Sequence, residues 1–251
     1  MNVCFNGCSI TVGIGFPVEQ RDTYIYDQIV SRTFKFNKHN IAVGGSSNYK
    51  IFLRSAAAII SGQYNIVFSQ WSALNRLWLS PGPDSQWFVN DEQSSPFSYR
   101  DIYLSTDQKR SLKNMLLLMN HDYQNILDLV EYCNILDQLA KLHNVRTVNI
   151  NGLVPWQSDL VNPDIGSDLG ASLSHYSKSI LDFDHRDDKE ILQFFRTLQE
   201  KVSQLDHTNW VNQFESIAHL QSDTGPEGHH PGPATHKLVA EKIINHLKNI
   251  L

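Results

Sequence analysis

The stretch Asn6-Gly7-Cys8-Ser9-Ile10-Thr11-Val12-Gly13 follows directly on the apolar run Val3-Cys4-Phe5 near the start of the chain. An apolar run that stops abruptly at Gly7 predicts a buried strand followed by a sharp turn. In an α/β protein, such a turn presents a small hydroxyl residue over the carboxyl edge of the sheet, where a nucleophile is needed. Ser9 is therefore the first candidate nucleophile, although serine and threonine at this position also cap helices.

A second candidate segment, Glu227-Gly228-His229-His230-Pro231-Gly232, lies near the other end of the chain. It precedes a predicted final helix that begins at Gly232-Pro233, since proline suits the first helical turn. A serine hydroxyl becomes a good nucleophile when a histidine takes its proton and a carboxylate orients that histidine. Ser9, His230 and Glu227 fit these roles if the two ends of the chain converge.

Strands and helices are predicted to alternate between these two segments. Residues 65–68 have the length and continuous apolarity of a strand buried on both faces, as parallel strands are. Further strands are predicted over 34–42 and 145–150, and helices over 24–30, 48–61, about 191–205 and from 232 onward. Residues from about 112 to 143 are predicted to form one long helix or two in succession. The sequence thus predicts a single α/β domain over 1–251, with irregular insertions at about 77–104 and 155–186.

Composition and charge exclude several classes of protein. The 251 residues are 41% hydrophobic and 19% charged, which is typical of a globular domain rather than a disordered chain. The net charge of -5 and the lack of a basic cluster with interleaved aromatic residues argue against a nucleic-acid partner. No signal peptide or membrane-spanning run is recognisable, so we expect a cytoplasmic protein with no membrane partner. Its three cysteines, Cys4, Cys8 and Cys133, suit reduced thiols in that compartment.

Two other chemistries have less support in the sequence. Cys8 is an alternative nucleophile, but a residue just before the exposed position at a strand end normally points away from it. A metal centre is not predicted, because His229 and His230 are adjacent and their side chains diverge, while His175 and His185 have no partner at the spacing of a metal site.

The segment Val43-Gly44-Gly45-Ser46-Ser47-Asn48 follows the second predicted strand. Two glycines permit a close backbone approach or a positive φ, and so form either a loop whose amides face a ligand or an ordinary tight turn. Asn48 is predicted to cap the following helix. If a substrate carbonyl acquires negative charge at Ser9, the backbone N–H groups of Ser9 and Gly45 are the candidates to stabilise it.

Three blocks of the sequence resemble those of the SGNH/GDSL hydrolase superfamily. Residues 6–13 resemble its serine block, with Cys8 where the family usually has Asp. Residues 40–48 are similar to its glycine block, and residues 227–231 look like its terminal acid-x-x-His block. The resemblance implies a flavodoxin-like three-layer α/β/α fold with about five parallel strands. It also implies cleavage or transfer of an ester-linked acyl group, with neither metal nor cofactor.

The same resemblance implies further residues of the candidate active site and implies that His230, rather than His229, is the general base. The family's third block usually has Gly-x-Asn-Asp, whereas this chain has Ser72-Ala73-Leu74-Asn75. Either Asn75, in a shifted register, is the third donor to the oxyanion, or that donor is missing. Glu227 stands in place of the usual Asp, and Asp223 is the alternative partner of His230. The residues predicted to contact substrate are Asn48, Trp71 and His229.

The favoured function is a serine esterase or deacylase that forms an acyl-enzyme on Ser9. An O-acyltransferase shares the first half-reaction, so the sequence does not separate the two. A catalytically weakened glycan-binding module is the third hypothesis, because the third block is altered and residues 78–99 are rich in aromatic side chains. The expected partners are small-molecule or carbohydrate esters, and the oligomeric state is not readable from the sequence.

Overall fold

The computed structural model describes residues 1–72, 122–152, 197, 200–201, 203–211, 216–218, 220–228 and 230–251. The predicted insertions at about 77–104 and 155–186, and most of the predicted helix over 191–205, lie outside these residues. No helix in these ranges is long and apolar enough to cross a membrane. The elements are, in order, β1 (Asn2–Asn6), α1 (Ser9–Val12), α2 (Val18–Tyr24), α3 (Tyr26–Phe34), β2 (Asn37–Asn40), α4 (Asn48–Ile60), β3 (Ile66–Trp71), α5 (Asp122–His143), β4 (Arg146–Asn151), the 3-10 turn His207–Asn209 and α6 (Pro233–Ile250).

The described strands form one parallel sheet in the order β2-β1-β3-β4. Beyond β4, Trp210 bridges Asn149 in parallel, and the N–H of Ile217 donates to the carbonyl of Asn151 at 2.9 Å. Trp210 and Ile217 therefore lie along the edge of β4 that faces away from β3. Because β2 lies on one side of β1 and β3 on the other, the strand order reverses at β1. Ligands of open α/β sheets bind at the carboxyl ends of the strands beside such a reversal.

Helices cover both faces of the sheet, which gives the three-layer α/β/α fold predicted from the sequence. On one face, Val3, Phe5 and Phe68 pack against α3 and α6, and the rings of Phe5 and Phe68 stack at 4.2 Å between centroids. On the other face, Cys4 and Val67 pack against α4 and α5. Alternate residues of β1 and β3 therefore enter different cores, which explains why these strands are apolar throughout.

The three cysteines are free thiols, and all are buried. Burial raises the pKa of Cys4 to about 12 and also raises the pKa of Cys133. These two thiols are therefore protonated and pack as small apolar groups.

Several element boundaries differ from the prediction, and for three of them the structure gives the reason. Helix α3 continues through Phe34 and ends at Lys35 in the left-handed conformation, φ 55°, so β2 begins later than predicted. Strand β3 extends to Trp71 because both Gln70 and Trp71 are buried and pair with β4. The cap of α4 is Ser47, whose Oγ accepts a hydrogen bond from the N–H of Lys50 at 3.4 Å. The prediction that Asn48 is the cap is therefore wrong by one residue.

Candidate active site

Ser9 lies in a turn that begins where β1 ends. It is the first residue of α1, a single helical turn that closes at Gly13 in the left-handed conformation, φ 75°. Only 7% of Ser9 is exposed, and its Oγ donates a long hydrogen bond to Cys8 Sγ at 3.9 Å. Because α1 follows the end of β1, the Ser9 hydroxyl lies at the carboxyl edge of the sheet, beside the strand-order reversal, as the sequence predicts. Residues 7–15 are called the nucleophile turn below.

Gln70, at the end of β3, anchors the nucleophile turn, and sequence reasoning missed it. Its Oε1 accepts hydrogen bonds from the N–H of Cys8 at 3.2 Å, from Cys8 Sγ at 3.2 Å and from Thr11 Oγ1 at 2.9 Å. Its Nε2 donates to the carbonyl of Trp71 at 2.7 Å, which fixes the orientation of the amide. Gln70 is fully buried. A buried polar side chain needs hydrogen-bond partners. A glutamine at the end of an apolar strand is therefore the sequence feature that points to such an anchor.

The glycine segment packs against the other side of the nucleophile turn. The N–H of Val43 donates to the carbonyl of Gly7 at 3.3 Å. A Cβ on Gly44 would lie 2.5 Å from Ile14 Cδ1, so any larger residue there would require the end of the Ile14 side chain to move. The loop continues through Gly45 in the left-handed conformation, φ 72°.

Two backbone donors are available at this junction. Among the described groups, neither the N–H of Ser9 nor that of Gly45 donates a hydrogen bond. The first N–H groups of a helix lack acceptors within the helix, and Ser9 is the first residue of α1, so its N–H is left without an acceptor there. These are the two backbone donors that the sequence predicts for an oxyanion hole.

His230 is paired with Glu227 in a tight loop before α6. Nδ1 of the imidazole contacts Oε1 of the Glu227 carboxylate. A carboxylate only accepts hydrogen bonds, so Nδ1 carries the proton and Nε2 is left as the acceptor that a general base needs. The loop is closed by hydrogen bonds from the N–H of Gly225 to the carbonyl of His230 at 2.8 Å and from the N–H of Gly228 to the carbonyl of Gly225 at 2.9 Å. Residues 225–230 are called the acid–base loop below.

Asp223, the alternative partner of His230, makes different contacts. Its carboxylate accepts from the N–H groups of Ala234 and Thr235, each at 2.8 Å, and from Thr235 Oγ1 at 2.6 Å. Burial is the largest single influence and raises the pKa of Asp223, but these hydrogen bonds and the electrostatic effect of His236 together outweigh it and hold the pKa below its usual value. Of the two carboxylates, that of Asp223 stabilises the start of α6, and that of Glu227 is hydrogen-bonded to His230.

Gly15 brings the nucleophile turn and the acid–base loop together. It has a left-handed φ of 106°, and a Cβ there would lie 2.9 Å from His230 Cβ and 3.3 Å from Glu227 Oε1. The turn that begins at Ser9 thus contacts the glycine segment through Ile14 and the acid–base loop through Gly15. All three sequence blocks meet at one edge of the sheet. Within the described residues, no hydrogen bond joins Ser9 to His230 in this conformation.

The structure changes the interpretation of other predicted residues. Trp71 is 1% exposed and its indole N–H donates to Asn149 Oδ1 at 3.0 Å, so it stabilises the core and has no surface to offer a substrate. The prediction that Trp71 contacts substrate is therefore wrong, because β3 extends to Trp71 and buries it. Asn48 is buried, and its Oδ1 accepts from the N–H of Ser72 at 2.7 Å, joining the glycine segment to the end of β3. Asn75 and His229 lie outside the described residues.

His236, on α6, is a structural residue. It is 1% exposed, its Nδ1 accepts from the N–H of Tyr26 at 3.3 Å, and its ring packs against those of Phe16 and Tyr26. Burial lowers its pKa to about 4, so the ring is neutral near pH 7. Nowhere in the described ranges do three or more His, Cys, Asp or Glu residues form a group able to hold a metal ion.

The fold resembles those of solved structures. The chain is similar to the protein described as "Crystal Structure of TesA", with 11% identity over 100% of both chains and a TM-score of 0.50. It is also similar to a catalytic mutant of Axe2, an acetylxylan esterase from Geobacillus stearothermophilus, with 11% identity, 98% of this chain, 93% of that chain and a TM-score of 0.48. A GDSL-like lipase from Bacteroides thetaiotaomicron shares 13% identity over 100% of this chain and 89% of its own, with a TM-score of 0.46. Neither a scan of protein families nor a search of curated proteins found a match to the sequence. At the level of the fold, the predicted resemblance is confirmed: the chain has the fold of the SGNH/GDSL hydrolases.

Proposed function

We propose that this protein is a serine hydrolase that cleaves an ester-linked acyl group through an acyl-enzyme on Ser9. One observation carries the proposal: the paired His230 and Glu227 contact Gly15 of the turn that begins at Ser9. A nucleophile, a base and the carboxylate that orients the base are thereby grouped at a single edge of the sheet.

In the first half-reaction, Ser9 Oγ attacks the ester carbonyl carbon while His230 Nε2 takes the hydroxyl proton. The carboxylate of Glu227 stabilises the imidazolium that forms. Negative charge moves to the carbonyl oxygen, where the N–H groups of Ser9 and Gly45 donate to it, with the side chain of Asn75 as the predicted third donor. When the tetrahedral intermediate collapses, the C–O bond to the alcohol breaks, and the alcohol leaves with the proton from His230.

In the second half-reaction, water replaces the alcohol. His230 takes a proton from the water as it attacks the acyl carbon, and returns a proton to Ser9 Oγ as the acid is released. Another hydroxyl compound in place of water would give acyl transfer with the same residues.

The Ser9 hydroxyl must turn from Cys8 toward His230 before the reaction. Its present hydrogen bond to sulfur is long, at 3.9 Å, and sulfur is a weak acceptor. Breaking this bond costs little. Hydrogen bonds between catalytic groups are commonly long or absent before substrate binds, and they tighten in the complex.

Carbohydrate esters are the substrates to test first, beside small-molecule esters. The predicted insertion at about 77–104 contains Trp78, Trp87, Phe88, Phe97 and Tyr99. Aromatic rings supply flat apolar surfaces, on which sugar rings stack.

The test is hydrolysis of p-nitrophenyl acetate and an acetylated sugar by the wild type, Ser9→Ala and His230→Ala. Ser61→Ala and His39→Ala are matched controls, because Ser61 Oγ caps the end of α4 and His39 lies on the outer strand β2. We expect both site variants to lose activity by about 10⁴-fold while the controls keep it. Equal activity in Ser9→Ala would contradict the proposal. Sugar binding without turnover by the wild type would favour the glycan-binding module, and a transferred acetyl group would identify an acyltransferase.

A further inference from the structure

Arg54 reaches from the second turn of α4 toward both sides of the proposed oxyanion hole. Its Nε donates to Asn6 Oδ1 at 3.1 Å. Its Nη2 donates to the carbonyl of Gly7 at 3.5 Å and to Ser46 Oγ. A long side chain on a helix points back toward the helix N-terminus, so a residue in the second turn of α4 can reach the loop that precedes it.

Among the described residues, the hydrogen-bond acceptors of the Arg54 guanidinium are neutral oxygens. Within the described part of the chain, Arg54 forms no ion pair with a carboxylate. Burial lowers its pKa, but a guanidinium stays charged in a protein. A partly buried charge without a counter-ion depends on hydrogen bonds for its stability, so these three contacts fix where the side chain lies.

The three acceptors belong to the two segments that carry the backbone donors. Asn6 and Gly7 precede Ser9, and Ser46 follows Gly45. Asn6 is itself fixed on α4, since its Nδ2 donates to the carbonyl of Ile51 at 2.7 Å. Ser46 Oγ donates in turn to the carbonyl of Val43 at 2.7 Å, which braces the glycine segment from within. One planar cation therefore fixes the end of β1 and the glycine segment relative to each other.

We infer that Arg54 is a positioning residue that holds the N–H groups of Ser9 and Gly45 in register to receive one oxygen. This inference rests on the proposed function. An oxyanion hole stabilises the transition state more than the bound ester, so its misalignment lowers kcat rather than raising KM. A lysine cannot replace Arg54 fully, because one ammonium lacks the planar fork that spans three acceptors.

The test compares the wild type with Arg54→Ala, Arg54→Lys and the control Arg32→Ala in ester hydrolysis. Arg32 lies near the end of α3 and donates to the carbonyl of Asp22, away from the three blocks. We expect kcat to fall about 10- to 100-fold in Arg54→Ala with KM within about twofold of the wild type. Millimolar guanidinium chloride, well below denaturing concentration, restores part of kcat in Arg54→Ala and changes nothing in Arg32→Ala. Arg54→Lys is expected to have an intermediate kcat.

Amide hydrogen exchange of the same variants supplies a measurement that does not depend on activity. We expect faster exchange over residues 43–47 in Arg54→Ala and no change there in Arg32→Ala. Unchanged exchange over 43–47 would overturn the inference whether or not any ester is cleaved. An unchanged kcat in Arg54→Ala, in a wild type whose activity depends on Ser9, would also overturn it. Activity that survives Ser9→Ala would instead overturn the proposed function.

Discussion

The nucleophile turn and the acid–base loop are held in place by contacts of opposite kinds. Cys8 in the turn bonds to Gln70, 62 positions away, and both are fully buried. Glu227 and His230 are three positions apart, and their side chains are 39% and 27% exposed. The position of the nucleophile therefore depends on the packed sheet, whereas the pairing of the acid and base depends on a local loop. Substitutions in the turn are expected to affect stability and activity together, and those in the loop activity alone.

The largest effect expected from this contrast is at Glu227. Glu227→Gln keeps the shape of the side chain but removes the charge that stabilises the His230 imidazolium, so kcat is expected to fall at least about 100-fold. Because the side chain is exposed, the free energy of unfolding is expected to stay within about 0.5 kcal/mol. The measurements are ester hydrolysis and urea unfolding.

Asp223→Ala is the matched control for Glu227. It removes the carboxylate that accepts from Ala234 and Thr235 at the start of α6, and we expect a loss of about 1–2 kcal/mol in the free energy of unfolding. Its kcat is expected to change much less than that of Glu227→Gln. The reverse result, with kcat lost in Asp223→Ala and kept in Glu227→Gln, would assign the orientation of His230 to Asp223.

A change at Gln70 is expected to reduce both stability and activity. Gln70→Leu leaves the N–H of Cys8 without its buried acceptor and the Thr11 hydroxyl with Tyr26 as its remaining side-chain partner, at a cost of about 1–3 kcal/mol in the free energy of unfolding. We also expect a lower kcat in the variant that is still folded, since the turn carrying Ser9 loses its anchor. Thr11→Val removes one of these donors and serves as the milder control. A fully active and stable Gln70→Leu would show that the turn is held by other contacts.

The smallest effect concerns pH and comes from His236, which belongs to neither the nucleophile turn nor the acid–base loop. Its pKa is about 4 when folded against an ordinary 6.5, so between these values the unfolded chain binds more protons. The free energy of unfolding therefore falls as pH drops, by about 2 kcal/mol from His236 alone between pH 7 and pH 5. Burial also lowers the pKa of His246, which adds a change of the same sign.

His236→Phe distinguishes the contribution of His236 to the pH dependence of stability from that of His246. It removes one titrating group while keeping an aromatic ring between Phe16 and Tyr26. We expect a weaker loss of stability from pH 7 to pH 5 than in the wild type, measured by urea unfolding at both values. The same loss in both proteins would assign the pH dependence to other groups.

The sequence predicts the parts of this site whose signals are local. The nucleophile turn, the glycine segment and the acid–base loop each occupy a few consecutive residues, and Pro233 correctly predicts the start of α6. Gln70 and Arg54 are different, because each is a single polar residue within a strand or helix that bonds to a distant part of the chain. Cys8 lies 62 positions from Gln70, and Asn6 lies 48 positions from Arg54. Periodicity carries no information about such pairs. The prediction of Trp71 as a substrate contact is wrong for a related reason: a strand that ends at 68 exposes Trp71, whereas one that continues to 71 buries it.

The most direct test of the account is covalent labelling with a fluorophosphonate, which transfers its phosphonyl group to an activated serine and releases fluoride. Intact-protein mass spectrometry of the wild type, Ser9→Ala and His230→Ala would count the adducts, and peptide mapping would locate them. We expect one adduct on Ser9 in the wild type, none in Ser9→Ala and much slower labelling in His230→Ala. Rapid labelling of another residue, or equal labelling rates in the wild type and His230→Ala, would contradict it.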